Sequence, residues 1–258
     1  MIHDSDARRI AALCYPEPLG KGSIFIPPPT ILEIGPGLGI ASKFLAQKTS
    51  ELILIEKDKR LAAYLELQLS LRETEESIFS FSPSNNINIL NQDFLQFTFP
   101  SKKIIVVGNI PYNIASPILL KLIENKKYFF RCILMLPLEM SEKLMASSGE
   151  LYGVLSLTVQ LDFEIMKGFR VKASGFYPQP QVDSMVLSLS PKPDILSLQQ
   201  KEAFYQIIKK AFQNRRKMLR KIFSDIREWD ALGLNPKSRP QDLSLQDYIH
   251  WSKTLNHP

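Results

Sequence analysis

The chain has 258 residues, 45% of them hydrophobic, and a formal net charge of +6 at neutral pH. This size and composition are typical of a globular protein with one large domain, or with one domain and a small second one. The sequence has no window with the uninterrupted apolar run of a membrane span, and its polar N-terminus has no signal-like apolar segment. We therefore expect a cytoplasmic protein with no membrane partner.

Cysteine and histidine are scarce and poorly placed for metal binding. Cys14 and Cys132 are the only cysteines and lie in apolar surroundings, which is typical of reduced thiols in a cytoplasmic compartment. His3, His250 and His257 lie near the termini without the spacing of metal ligands. We expect no bound metal, and we expect the chain to be a monomer.

The excess positive charge is confined to the C-terminal quarter of the chain. Residues 1–194 contain 20 basic and 20 acidic side chains, whereas residues 195–258 contain 12 basic and 6 acidic ones. A neutral large part joined to a basic small part indicates a catalytic body with a segment that binds a polyanion. A basic but merely solvated helical surface would give the same distribution, so charge alone leaves both interpretations open.

The first two thirds of the chain alternate between strand patterns and helical patterns. A helix is predicted over Asp4–Cys14, with Asp4 or Ser5 as its N-cap, and a Pro/Gly-rich loop ending in Pro27–Pro29 follows. Seven short strands are predicted at Thr30–Ile34, Leu52–Glu56, Ile87–Leu90, Ile104–Val107, Cys132–Leu136, Ile165–Val171 and Ser184–Ser190. Further helices are predicted at Ile40–Lys48, from the N-cap Asp58 to about Leu71, at 115–125 and at 138–146, with a polar loop over 72–86. This alternation implies a mainly parallel sheet covered on both faces, closed by a hairpin-like pair of strands.

A domain boundary is predicted at Pro191-Lys192-Pro193, which separates residues 1–194 from residues 195–258. The second domain shows no strand pattern. Its apolar residues recur at roughly helical spacing with basic residues interleaved, which predicts a basic helix. These apolar residues are Phe204, Ile208, Ala211, Phe212, Leu219 and Phe223. Further helices are predicted near 225–232 and 244–254, so we expect this domain to be helical throughout.

The most informative segment follows the predicted strand Ile104–Val107. Asn109-Ile110-Pro111-Tyr112 ends this strand abruptly with an amide, a rigid proline and an aromatic ring. In open α/β sheets, ligands bind at the carboxyl ends of the strands. An amide beside a ring can hold a flipped-out purine and hydrogen-bond to its exocyclic amine. The alternative is an ordinary strand followed by a proline turn, with Tyr112 in the core.

A glycine-rich turn follows the predicted strand Thr30–Ile34. Gly35, Gly37 and Gly39 form a G-x-G-x-G pattern, which differs from the G-x-G-x-x-G fingerprint of pyrophosphate binding. Glu33, two residues before the first glycine, would repel a phosphate but could pair with a cation such as the amino group of a small cofactor. A tight β-to-α connection without a ligand would show the same glycines.

Two acidic residues follow the next strands at the same predicted edge of the sheet. Glu56 is placed to accept hydrogen bonds from both hydroxyls of a ribose, although a surface acid before a helix cap is the alternative. Asp93 could accept from the amine of an adenine, or could cap a short helical turn. Together with the glycine loop, these residues favour an adenosine-containing cofactor with an amino-acid tail, S-adenosylmethionine.

Several segments also resemble a known family. In their order they are similar to the KsgA-type rRNA adenine dimethyltransferases, which methylate two neighbouring adenosines near the 3′ end of small-subunit rRNA during ribosome maturation. The segments, within about residues 1–223, are Leu32–Gly39, Glu56, Gln92-Asp93, Gly108–Ile114, Phe176–Ser184 and Asn214–Arg220. The resemblance implies an α/β, Rossmann-like class I methyltransferase fold with a mostly parallel seven-stranded sheet and a small all-helical C-terminal domain. It also implies S-adenosylmethionine as cofactor and small-subunit rRNA, or an immature small ribosomal subunit, as partner.

The resemblance further assigns roles to individual residues. It implies cofactor contacts at Ile2, Glu33, Gly35, Gly37, Glu56, Asp93 and Asn109. It implies that the target base meets Asn109, Ile110, Pro111, Tyr112 and Phe176. RNA contacts are expected at Arg215, Arg216, Lys217 and Arg220. The chain aligns only with the end of the family's N-terminal Gln-Asn-Phe-Leu segment, where Ile2 is expected to take the place of the leucine.

The expected reaction is an in-line methyl transfer from a sulfonium to the adenine amine. The Asn109 side-chain oxygen and the Ile110 carbonyl would accept the amine hydrogens, and no strong base is required. Tyr112 and Phe176 would stack on the base, although Phe176 could instead pack under its Pro-rich loop. Two other functions stay open. One is a large-subunit rRNA adenine methyltransferase that confers macrolide resistance, and the other is a non-catalytic nucleic-acid-binding factor with the same fold.

Overall fold

The structure, a computed structural model, describes residues 2–14, 30–74, 76–79 and 86–254. The predicted Pro/Gly-rich loop lies outside the described residues, as do positions 75 and 80–85 of the predicted polar loop. The strands are β1 (Ile31–Ile34), β2 (Glu51–Glu56), β3 (Asn86–Asn91), β4 (Ile104–Asn109), β5 (Phe129–Pro137), β6 (Phe163–Val171) and β7 (Ser184–Pro191). They form one sheet in the order β3-β2-β1-β4-β5-β7-β6. Strands β1 to β5 pair in parallel and β7 runs antiparallel to β5, so the mostly parallel seven-stranded sheet is confirmed.

The described helices alternate with these strands and follow them along the chain. They are α1 (Asp4–Leu13), α2 (Ser42–Ala46), α3 (Lys59–Ser70), α4 (Tyr112–Glu124), α5 (Leu138–Met145), α6 (Val154–Asp162), α7 (Leu198–Gln213), α8 (Leu219–Ile222) and α9 (Leu245–Thr254). Asp58 caps α3 as predicted, because its side chain accepts a hydrogen bond from the Arg60 N–H at 2.8 Å. The predicted cap of α1 is wrong, because His3 occupies the N-cap position and the Asp4 carboxylate pairs with Lys43 at 2.7 Å.

Apolar side chains on both faces of the central strands form the core of the sheet. All four residues of β1 are buried, and so are the residues of β2 from Leu52 to Glu56. Continuous burial of this kind is typical of parallel strands that helices cover on both faces. Ala7 and Ile10 of α1 belong to the same buried cluster as the strands.

The described chain divides into two compact units. Unit 1 consists of Met1–Ser141 and Ile165–Pro191, and unit 2 consists of Glu142–Glu164 and Lys192–Pro258. The last passage of the chain from unit 1 to unit 2, between Pro191 and Lys192, lies within a few residues of the boundary predicted at 194. The segment at 142–164, however, belongs with the C-terminal part and not, as predicted, with the first domain.

Helix α6 explains this difference. Leu157 and Leu161 of α6 pack in the same buried cluster as Phe204 and Ile208 of α7. Helix α6 was not predicted, because its apolar residues surround the helix and give no amphipathic stripe from which to recognise it. In unit 2, the described residues from Lys192 onward form helices and turns, in agreement with the predicted helical character.

One predicted helix of this segment is wrong. Residues 225–232 form turns and an irregular stretch instead of a helix. The Leu232 N–H donates to the Trp229 carbonyl oxygen at 3.2 Å, and the Gly233 N–H donates to that of Asp230 at 3.0 Å. Trp229 is buried in the core of unit 2, so packing of the indole ring holds this segment without a continuous helix. The predicted helix at 244–254 is confirmed as α9.

Two of the expectations concern membrane spans and metal ligands in the described part of the chain. Each helix there is too short or too polar to cross a membrane. The same residues contain no group of three or more His, Cys, Asp or Glu side chains that could hold a metal ion. Cys14 and Cys132 are free and buried, and burial raises the pKa of both thiols, that of Cys14 to about 12.

Candidate cofactor and target-base site

The carboxyl ends of β1, β2 and β4 meet at one edge of the sheet in unit 1. Ile34 at the end of β1 pairs with Ile55 of β2 on one side and with Gly108 of β4 on the other. A cavity of about 260 Å³ lies at this edge, slightly below the range of about 300–1,000 Å³ for small-molecule sites. Its described lining consists of Ile34, Gly35, Ile55, Glu56, Lys57, Gln92, Asp93, Phe94, Leu95, Asn109, Ile110, Pro111, Ile114 and Ile118.

Glu56 ends β2 with a buried carboxylate that holds the glycine loop. The Gly37 N–H donates to Oε2 of Glu56 at 3.0 Å, and the Asp58 N–H donates to Oε1 at 2.8 Å. Gly37 has φ of +60°, a left-handed conformation that glycine adopts without steric cost. A carboxylate offers about four lone-pair positions. The two backbone donors therefore leave acceptor capacity, as the predicted ribose contact requires.

Glu33 of β1 is buried between the sheet and α2, and it is not part of the cavity's described lining. The Ser42 hydroxyl donates to Oε2 of Glu33 at 2.6 Å. Burial raises the pKa of the Glu33 carboxyl from 4.5 to about 7; the Ser42 hydrogen bond opposes this rise and the charge of Glu56 adds to it. Glu33 thus contacts Ser42 of α2, and its expected contact with the cofactor stays a prediction.

Asp93 follows β3 and begins the short 3₁₀ helix Phe94–Gln96. Its Oδ1 accepts from the Leu95 N–H at 2.9 Å, so Asp93 is a helix cap, and its Oδ2 accepts from Nζ of Lys57 at 2.7 Å. The Lys57 contact, followed by the Leu95 hydrogen bond, lowers the pKa of the Asp93 carboxyl. Lys121 of α4 donates to the Leu95 carbonyl oxygen at 2.7 Å and fixes this turn to α4. Asp93 is therefore an ionised acceptor in the cavity wall.

Asn109 is the last residue of β4, and the chain leaves the sheet immediately after it. The Ile110 N–H donates to the Met135 carbonyl oxygen of β5 at 2.9 Å, and the Ile110 side chain is buried. A Cβ atom at Gly108 would lie 2.7 Å from Cδ1 of Ile110, so a side chain at position 108 would displace Ile110. This packing fixes the backbone on both sides of Asn109 and leaves its amide exposed at the cavity.

Pro111 and Tyr112 begin α4. Pro111 is the N-cap with φ of −64°, a position at which the missing N–H costs no helical hydrogen bond. The Tyr112 side chain is 54% exposed, so the alternative that placed this ring in the core is wrong. The ring is outside the described lining of the cavity. It is therefore available to a ligand that approaches Asn109 from solvent.

Phe176 and Ile2 lie together although they are far apart in the sequence. They form an isolated antiparallel bridge, and both side chains pack against the core of unit 1 while remaining partly exposed. Neither belongs to the described lining of the cavity. The structure thus joins Ile2, an expected cofactor contact, to Phe176, an expected base contact.

The basic motif of unit 2 lies in a turn, so the predicted continuous basic helix is wrong. Helix α7 ends at Gln213, and residues 214–218 form the turn that precedes α8. The Leu219 N–H donates to the Ser238 carbonyl oxygen at 2.8 Å and the Arg220 N–H to that of Pro236 at 3.1 Å. These hydrogen bonds attach the start of α8 to the segment at 236–238 of unit 2. The helical periodicity of the sequence does not indicate this attachment.

The four basic residues of this motif differ in exposure. Arg215 is partly buried and donates to the Gly149 carbonyl oxygen, which gives it a structural role within unit 2. Arg216, Lys217 and Arg220 are exposed. These three are the members of the motif that solvent, or a phosphate, can reach.

Sequence reasoning missed several residues of the cavity. Lys57 directly follows Glu56, and Leu95 lies two residues after Asp93, so adjacency to a predicted residue is the signal that could have found them. Ile114 and Ile118 are four residues apart on α4 and share one face of the helix. This spacing indicates an apolar wall, but the sequence does not show which wall it forms.

Comparison with known proteins identifies the family of this chain. The family model described as "Ribosomal RNA adenine dimethylase" matches residues 9–257. The chain belongs to this family. A relative named "Ribosomal RNA small subunit methyltransferase A" from Chlorobium limicola is 32% identical over 235 residues, covering 89% of this chain and 83% of the relative. A relative of the same name from Desulforapulum autotrophicum is 36% identical over 239 residues, covering 87% of this chain and 81% of the relative.

Two solved structures resemble the chain over nearly its full length. A dimethyladenosine transferase from Plasmodium falciparum has a TM-score of 0.77 at 23% identity, covering 99% of this chain and 97% of the other. The 23S rRNA methyltransferase ErmE has a TM-score of 0.71 at 21% identity, covering 100% of both chains. At these identities the likeness concerns the fold, and it confirms the Rossmann-like methyltransferase architecture.

Proposed function

We propose that this chain transfers methyl groups from S-adenosylmethionine to the exocyclic amines of two adjacent adenosines near the 3′ end of small-subunit (16S) rRNA, giving N6,N6-dimethyladenosine during ribosome biogenesis. The observation that carries the proposal is the exposed Asn109 amide at the cavity that Glu56 and Asp93 line. Membership of the ribosomal RNA adenine dimethylase family supports the reaction. Relatives named for the small subunit support the substrate.

The cavity residues suit an adenosine-containing methyl donor. Ile55, Leu95 and Ile118 offer apolar surface for a purine ring. Asp93 can accept from its amine and Glu56 from the ribose hydroxyls. When bound, S-adenosylmethionine supplies an electrophilic methyl group on sulfur.

Asn109 and Ile110 would prepare the target amine. The lone pair of an adenine amine is delocalised into the ring, so the nitrogen is a poor nucleophile. When the Asn109 side-chain oxygen and the Ile110 carbonyl accept its two hydrogens, the nitrogen becomes more pyramidal and its lone pair is freed for attack. Asn109 is exposed, so the proton released after transfer can pass to water. Positioning and fixed dipoles supply the catalysis, with no charged base among the proposed catalytic residues.

The remaining residues would hold the RNA. Tyr112 and Phe176 would stack on the flipped-out adenine, each with about 1–3 kcal/mol of binding energy. Arg216, Lys217 and Arg220 of unit 2 would contact phosphates, since each is an exposed basic side chain.

Labelled-methyl transfer tests this proposal. We expect the chain to transfer methyl groups from labelled S-adenosylmethionine to small ribosomal subunits that lack the modification, with N6,N6-dimethyladenosine identified by mass spectrometry. The Asn109→Ala variant is the control for label that does not arise from this site. If dimethyladenosine formed only on large-subunit RNA, the substrate would be the large subunit instead of the small one. Absence of transfer to either, with RNA binding retained, would indicate a non-catalytic binding factor.

A further inference from the structure

Tyr177 leaves an unusually large aromatic surface in water. Its side chain is 76% exposed, and among the large hydrophobic residues that the structure describes, only Leu198 is more exposed. Aromatic rings bury large areas when they bind another molecule, so an exposed ring offers a large surface for binding. Exposed residues of this kind on loops frequently serve binding.

The backbone determines this exposure. Phe176 is extended, with φ of −119° and ψ of 150°, and consecutive side chains of an extended segment point to opposite sides. The Phe176 ring packs against the core of unit 1. The next side chain, Tyr177, is therefore directed away from the core.

Hydrogen bonds fix the loop that presents the ring. The Asp183 carboxylate accepts from the Ala173 N–H at 2.8 Å and from Nε of Arg170 at 2.7 Å. The Asp183 carbonyl oxygen accepts from the Leu138 N–H at 2.9 Å. Both ends of the loop are thus attached to unit 1, which lowers the entropy cost of holding Tyr177 in one place.

The loop lies at the edge of the sheet that carries Asn109. Ser184, directly after the loop, pairs with Pro137 at the carboxyl end of β5. Met135, two residues earlier on β5, pairs with Asn109. The loop that carries Tyr177 therefore starts and ends in unit 1 and rejoins the sheet at the edge of the amide at which the target adenine is expected.

We propose that Tyr177 stacks on a base of the RNA next to the target adenosine, an inference that rests on the proposed function. Extrusion of the target base leaves the faces of its neighbours without a stacking partner, and this loss opposes flipping. An exposed tyrosine ring replaces that partner. Stacking of this kind tolerates any base, because every base has a π-face. Lys172 is exposed just before the loop and provides a cation for the adjoining phosphates.

The experiment measures how the full-length chain binds and methylates unmodified small subunits after changes at position 177. We expect Tyr177→Ala and Tyr177→Leu each to weaken RNA affinity by roughly 5- to 150-fold and to raise KM for the subunit, with cofactor affinity unchanged. Tyr177→Phe keeps the ring and should stay close to the wild-type affinity. Phe130→Ala is the matched control, because Phe130 is also exposed, at 53%, but lies at the amino end of β5.

The outcomes separate this inference from the function on which it rests. Wild-type RNA affinity and KM in both Tyr177→Ala and Tyr177→Leu would overturn the stacking role. An equal loss in Phe130→Ala would also overturn it, because the effect would then not depend on the loop. A wild-type chain that binds S-adenosylmethionine but neither binds nor methylates ribosomal RNA would instead refute the proposed function.

Discussion

Replacement of Glu33 by glutamine is expected to change the pH dependence of folding stability in a defined direction. Burial raises the Glu33 pKa from 4.5 to about 7, so ionisation of this side chain opposes folding. A pKa difference of about 2.5 corresponds to about 3 kcal/mol. Glutamine keeps an oxygen that can accept the Ser42 hydroxyl hydrogen bond but carries no charge at any pH.

The sign of the effect follows from proton binding in the two states. Below about pH 4, Glu33 is protonated in both the folded and the unfolded chain, so its burial carries no ionisation cost. Between about pH 4.5 and 7, the unfolded chain loses this proton while the folded chain keeps it, and stability falls as the pH rises. Above about pH 7 the wild type bears the full free-energy cost of burying the Glu33 side chain. The advantage of Glu33→Gln over the wild type should therefore grow from pH 4 to pH 8 by about 3 kcal/mol.

Urea unfolding at pH 4, 6 and 8 measures this difference for the wild type and the variant. Glu51→Gln is the control, because hydrogen bonds from Lys102 and Thr30 lower the pKa of Glu51. Its carboxylate stabilises the fold above the unfolded pKa, so the control variant should lose stability relative to the wild type as the pH rises. A Glu33→Gln advantage that stays constant from pH 4 to pH 8 would refute the reasoning.

Three further predictions concern the cofactor, the amine and the RNA. Lys57→Gln should raise affinity for S-adenosylmethionine by roughly 1.4- to fivefold, because Lys57 occupies an Asp93 oxygen at 2.7 Å and an exposed ion pair contributes about 0.2–1 kcal/mol. Isothermal titration calorimetry measures this affinity. Asn109→Ala should lower kcat by about 10²- to 10³-fold, the loss that other enzymes show when one preorganised hydrogen-bonding group is removed. Affinity for S-adenosylmethionine, measured by equilibrium binding, should change far less. Arg216→Gln combined with Lys217→Gln should reduce the slope of log affinity for RNA against log salt by roughly 1 to 2, measured by filter binding over a salt series.

Each of these predictions has a result that contradicts it. Unchanged or weaker cofactor binding in Lys57→Gln would mean that this ammonium does not compete for Asp93. Wild-type turnover in Asn109→Ala would show that the Asn109 amide takes no part in the mechanism. For the salt slope, Lys103→Gln is the control, because Lys103 is exposed at the amino end of β4. A slope change equal to that of Lys103→Gln would place the RNA contacts outside the basic motif.

The sheet and the position of the site could be predicted because they depend on local patterns. The apolar run before Asn109 and the proline after Ile110 determine where β4 ends, and the parallel order of the strands brings Glu56 to the same edge. These features need only short stretches of sequence. The strand predictions are accordingly confirmed to within a few residues.

Features that depend on distant partners could not be predicted. The ion pair between Lys57 and Asp93 joins the ends of two different strands, and neither residue indicates the other in the sequence. The pairing of Ile2 with Phe176 joins residues that are far apart in the sequence, so no local pattern indicates it. Glu33 looks like a cofactor ligand from its position before the glycines, and only the tertiary structure shows its contact with Ser42.

The crystal structure of the chain in complex with S-adenosylmethionine tests the central claim most directly. The account predicts adenine against Asp93 and Leu95, the ribose hydroxyls at Glu56, and the sulfonium methyl facing the Asn109 amide. A donor bound with its methyl group out of reach of Asn109 would contradict it.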